Sequence, residues 1–105
     1  MNLDVALELI QKAIKVAPDN AAYLDSLGWV YYKKAMYDKA LEILRKADEL
    51  LKDPVIYDHL GDVCYKINQT DEAIKYWELS LKLAPDQQDI KEKINNVKNS
   101  HVSRQ

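Results

Sequence analysis

The feature of this chain that most restricts its fold is an internal repeat with a period of 33 to 34 residues. Segments 4–20 (DVALELIQKAIKVAPDN), 38–54 (DKALEILRKADELLKDP) and 71–87 (DEAIKYWELSLKLAPDQ) each open on Asp and carry Ala at the third place, namely Ala6, Ala40 and Ala73. The stretches between them, 21–37 and 54–70, share Asp25/Asp58, Leu27/Leu60, Gly28/Gly61, Val30/Val63, Tyr32/Tyr65 and Lys33/Lys66. A period of this size marks stacked units, each too small to bury its own apolar face and therefore dependent on its neighbours.

Within each segment the apolar residues recur at steps of three and four, which sets them on one face of a helix. Leu3, Ala6, Leu7, Ile10, Ala13, Ile14 and Ala17 form the first such stripe, Ala40, Leu41, Leu44, Ala47 and Leu51 the second, and Ala73, Ile74, Trp77, Leu81 and Ala84 the third. Asp4, Asp38 and Asp71 suit either N-caps or first-turn acids facing the positive end of the helix dipole. Pro18, Pro54 and Pro85 punctuate the ends. The pattern predicts an all-α chain of six helices near 3–17, 21–34, 38–52, 55–67, 71–84 and 88–99, with connections short enough to make neighbours antiparallel.

At 105 residues the chain is expected to form one domain. Its 15 basic and 17 acidic residues leave a net charge of −2, too balanced to gather nucleic acid or an anionic membrane. The single cysteine, Cys64, excludes an internal disulfide and any multi-cysteine metal site. The opening MNLDVALELIQKAIKV alternates apolar and charged residues, unlike a secretory leader, and nothing approaches a membrane span. A soluble chain without membrane insertion is the expectation.

These residues resemble the tetratricopeptide-repeat (TPR) family, whose helix-turn-helix unit of about 34 residues carries W-x2-L-G-x2-Y followed by Ala, an aromatic and Pro. The first complete unit matches with Leu24, Leu27, Gly28, Tyr31, Ala40, Leu44 and Ala47, the second with Tyr57, Leu60, Gly61, Cys64, Ala73, Trp77, Ser80 and Pro85. A half unit at the start supplies Ala6, Ile10, Ala13 and Pro18. Leu24 and Cys64 depart from the family's aromatics, and Ala35 stands where a turn glycine is common. The resemblance implies a right-handed solenoid of antiparallel helix pairs: a half repeat at 3–20, repeats at 21–53 and 54–87, a capping helix at 88–99 and a disordered tail at 100–105. The wording LDSLGW and DHLGD is similar to the C-terminal repeats of multi-repeat bacterial TPR proteins; it fixes no compartment, cytoplasm or periplasm being the settings if the chain is bacterial.

The same resemblance implies a concave groove lined by the first helix of each unit. Carried over residue by residue, it would hold Asp25, Trp29, Tyr32 and Lys33, then Asp58, Asp62, Tyr65 and Lys66, with Asp89, Glu92, Asn96 and Asn99 from the last helix. Aromatic anchors among carboxylates suit a protein or peptide with apolar and basic residues; the competing reading is a solvated helix face. The family's carboxylate clamp does not fit, because its asparagine position holds Ser26 and His59.

No catalytic machinery and no cofactor are expected. His59 and His101 are isolated, HExxH and glycine-rich phosphate loops are absent from the sequence, and Cys64 falls at a core-facing place. Asp25, Asp58 and Asp62 could imitate an acid–base or cation site, but repetition accounts for the first two. The half repeat raises a second functional expectation. Leu9, Ile10, Ala13 and Val16 lack the partner helix that their sisters have, so the chain should either pair through them as a homodimer or belong to a longer array.

Overall fold

The computed structural model describes residues 2–103. They form α1 (Leu3–Val16), α2 (Ala21–Lys33), α3 (Tyr37–Leu50), α4 (Pro54–Lys66), α5 (Thr70–Leu83) and α6 (Gln88–Ser103). Helix boundaries fall within two residues of those read from the apolar stripes, except that α6 runs through residues 100–103. Residues 104 and 105, the rest of the stretch expected to be a disordered tail, lie outside the described residues.

Side-chain caps start the helices that follow extended linkers. Asn2 accepts from the amides of Asp4 and Val5, Asn20 from Tyr23 and Asp53 from Val55, with Pro54 in the first turn of α4. Asp4, Asp38 and Asp71 are first-turn acids rather than caps. Helices α3 and α5 have no side-chain cap, because a tight turn delivers the chain to each. Ala35 (φ 60°) and Asn68 (φ 65°) occupy the left-handed region there, while the next amides, Met36 and Gln69, bond back to the carbonyls of Tyr31 and Cys64. This is the Schellman closure, which turns the chain sharply enough to pack each second helix on its first.

Helix α2 packs chiefly on α3 and α4 on α5; α1–α2, α3–α4 and α5–α6 contacts join these pairs in sequence order. The result is a solenoid of stacked helix pairs, elongated at 49 × 26 × 21 Å. Its core runs through Leu24, Ala40, Leu44, Ala47, Leu60, Cys64, Ala73, Trp77 and Ile90. The only buried polar residue among those described is Ser80, whose hydroxyl donates to the Pro54 carbonyl at 2.7 Å and accepts from Gln87 Nε2 at 3.1 Å. That pair of bonds ties α5 to the start of α4 and to the linker before α6, and the sequence alone offered no sign of it.

Candidate functional site

The first helix of each unit, α2, α4 and α6, contributes to the concave face, and a ladder of polar side-chain contacts runs from helix to helix. An ionised carboxylate can only accept, so His59 Nδ1–H donates to Asp25 Oδ1, at 2.7 Å. One unit further on, Lys93 Nζ donates to Asp58 Oδ1 at 2.9 Å and to Asp62 Oδ1 at 3.0 Å. His59 and Lys93 occupy the same place in α4 and α6, directly after the repeat-equivalent acids Asp58 and Glu92. The ladder therefore comes from one register used twice.

Around it stand the aromatics. Trp29 stacks on His59, ring centroids 4.3 Å apart, and on Tyr32 at 4.8 Å, while Lys33 Nζ lies 4.9 Å from its ring. Burial, and then the Asp62 charge, pushes the Tyr32 phenol up. Burial followed by repulsion from Asp58 raises Asp62, with Lys93 acting in the opposite sense. For Lys93, burial pulls downward, but the hydrogen bond to Asp58 and the charge of Asp62 outweigh it and the ammonium is stabilised overall.

Seven of the sequence-derived groove residues thus separate into three groups, while Tyr32 stacks on Trp29 outside the lining of the α1–α2 cleft. Asp58 and Asp62 are both held by Lys93 of α6, so part of their charge is already compensated from within. Tyr65 and Lys66 are exposed near the end of α4, with the Tyr65 ring tilted 6.0 Å from Trp77. Asp25, Trp29 and Lys33 instead line a cleft of ≈ 860 Å3 between α1 and α2, together with Leu3, Ala6, Leu9, Ile10, Ser26, Val30 and His59.

Two expectations drawn separately from the sequence, a groove and an unpaired first helix, meet in this cleft. No residue of α1 is fully buried, whereas the corresponding stripes of α3 and α5 bury Ala40, Leu41, Leu44 and Ala47, and Ala73, Trp77 and Ser80. Leu9 is 62% exposed and Ile10 half-buried in the wall. Val16, 87% exposed, and the half-buried Ala13 lie outside the lining. Sequence reasoning missed His59, Lys93 and Ser26 as parts of this face. The available signal was their shared place after an acid in each first helix.

Helix pairs repeated at this period, packed as a solenoid with an open concave side, define the class: a TPR protein-interaction fold. The chain belongs to the tetratricopeptide-repeat family. The family model described as anaphase-promoting complex, cyclosome, subunit 3 matches residues 1–78. A TPR repeat-containing protein of Methanocaldococcus jannaschii is 36% identical over 81 residues, 77% of this chain but 14% of that protein. The chain therefore spans a small part of that relative's length. Among solved structures, the crystal structure of MamA superimposes with a TM-score of 0.85 at 26% identity over 95% of this chain and 59% of that one. The first TPR domain of Spaghetti (RPAP3), solved with an HSP90 peptide, shares the fold at a TM-score of 0.89 and 18% identity, over 95% of this chain and 80% of that one.

Proposed function

We propose that this chain is a non-catalytic docking module that takes an apolar segment of a partner protein in the cleft between α1 and α2, with Trp29 as the principal anchor surface. The observation that carries this reading is the cleft itself. Leu9 and Ile10 of α1 and Val30 of α2 line it with apolar surface beside an indole whose position is set by stacking on His59 and Tyr32, a rigid aromatic of the kind that concentrates binding energy. Asp25 and Lys33 at the rim set orientation more than affinity. Among the described residues no three His, Cys, Asp or Glu side chains are grouped to hold a metal ion, and Asp25, Asp58 and Asp62 are engaged in the ladder. The RPAP3 domain shows this fold holding a peptide, which supports docking as the general mode.

Selection of a displayed peptide library on the intact chain, with Trp29→Ala as counter-selection, tests the proposal. Apolar sequences that bind the native chain and lose at least tenfold in affinity on Trp29→Ala and Ile10→Glu are expected. Peptides that bind both variants unchanged would remove the cleft from consideration. Self-assembly is the second reading, favoured by the exposure of Leu9 and Val5 on α1. Sedimentation over a concentration series, with Ile10→Glu as comparison, separates the two.

A further inference from the structure

The two complete units of this molecule offer a template for an occupant of the cleft. Resting on the docking proposal, we infer that the occupant is an amphipathic helix of a partner protein, seated on α1 as α2 is seated on α3, with a small residue facing Ile10 and an acid one turn before it facing Ser26.

Three observations lead there. First, Ile10 occupies the place of Leu44 and Trp77 in the sister helices. Each of those side chains lies against a glycine of the helix that covers it: a Cβ on Gly28 would come within 2.5 Å of Leu44 Cγ, and one on Gly61 would overlap the Trp77 indole. A helix packing at the same distance over Ile10 needs the same absence of side chain.

Second, the register of the ladder extends back to Ser26. In each first helix the residue after the acid reaches back to the acid of the helix before it: His59 to Asp25 and Lys93 to Asp58. Ser26 is the matching residue of α2 and lines the cleft. A helix seated in register places its own acid opposite this hydroxyl donor. The internal occupants carry Asp25-Ser-Leu-Gly28 and Asp58-His-Leu-Gly61, so the spacing of acid and glycine is the same in both.

Third, the position of Tyr23 corresponds to Ile56 in α4 and Ile90 in α6. Those two isoleucines are 2% and 0% exposed, whereas Tyr23 is 38% exposed. The surface left open extends continuously from α1 onto α2 along the line that the internal units close.

The helices α2, α4 and α6 of a second copy do not supply it. Helices α2 and α4 are engaged with α3 and α5. In α6, the places by which α4 grips α5, namely Tyr57, Gly61 and Cys64, are taken by the exposed Lys91, Asn95 and Lys98. The far end of the solenoid is therefore closed to α1 of another copy, while the near end is open.

The probe is a helix-stabilised, fluorescein-labelled peptide of residues 53–67, titrated with the intact chain and read by the anisotropy of the label. Saturable binding that weakens at least tenfold with Gly61→Leu in the peptide is expected. Asp58→Asn in the peptide should weaken it several-fold, and Ser26→Ala in the chain should remove that sensitivity. Equal binding of the Gly61→Leu peptide, or tighter binding of an extended, proline-interrupted apolar peptide at the same Ile10→Glu-sensitive site, would overturn the helix and leave the docking proposal standing. Peptide-independent dimerisation abolished by Ile10→Glu would overturn it in favour of a second copy. Should no peptide of either kind produce a signal sensitive to Ile10→Glu or Trp29→Ala, both readings fall together.

Discussion

Gly61 lies so close beneath the Trp77 indole that a Cβ at this position would overlap its Nε1 and Cδ1 atoms. The same approach leaves the indole N–H buried without a hydrogen-bond partner among the described residues. Packing between α4 and α5 evidently outweighs that lost bond. Gly61→Ala should destabilise the chain by about 2 kcal/mol through overpacking. In a Trp29→Phe background it should also make Trp77 more accessible to acrylamide quenching, since the ring has to move. Unchanged chemical denaturation would mean that the helices separate more easily than this contact implies.

Lys93 supplies the single cation shared by Asp58 and Asp62. Its raised folded value makes its contribution complete below the ordinary 10.5 and lost as pH climbs through the higher folded value. Asp62 is also raised, by burial and Asp58, so its contribution is present below the ordinary 3.8 and lost as pH rises through its folded value. Its ionised form is thus the strained one. Lys93→Met should destabilise by about 1–2 kcal/mol at neutral pH, a partly exposed pair being worth less than a fully buried one. The penalty should shrink toward pH 4 as Asp62 takes up its proton, in urea titrations repeated across that range.

Ala35 adopts φ 60° with a Cβ attached. Left-handed backbone costs an alanine about 1–2 kcal/mol, partly offset by the greater unfolded-state freedom of glycine. Ala35→Gly should therefore stabilise by about 0.5–1 kcal/mol. Asn68→Gly, at the equivalent turn, should gain less, because asparagine tolerates this region. Thermal denaturation of the two variants side by side decides the order.

Cys64 is 0% exposed, and burial pushes its thiol up. Thiolate, the reactive form, is scarce in such a setting. Labelling by a disulfide reagent should be slow in the native chain and should accelerate with denaturant in step with unfolding. Rapid labelling of the folded chain would show local opening of α4.

Helix α6 buries Ile90, Ile94 and Val97 and delivers Lys93 to the concave face. Deleting residues 88–105 should lower the melting temperature and solubility together, by uncovering apolar surface of the last unit and leaving Asp58 and Asp62 without their cation. A melting curve superimposable on that of the full chain would make α6 dispensable.

Much of the architecture was readable before any coordinates. Apolar residues at three- and four-residue steps and the recurrence of Ala6, Ala40 and Ala73 determine six helices and their pairing, because helix formation and the face each helix must bury are local properties of the chain. The alanine at the first turn and the glycines beneath large residues were visible for the same reason: they answer to backbone conformation and to a register repeated along the sequence. The concave face was legible as a set of positions but not as a site. Asp58 and Asp62 read as open acids, yet a lysine more than 30 residues away in sequence reaches both. Trp29 and Ile10 belonged to separate expectations until α1 and α2 were laid side by side. Ion pairing, stacking and cleft formation depend on which side chains from different helices arrive at one point in space. That arrival is set by inter-helix packing, which only the tertiary structure decides.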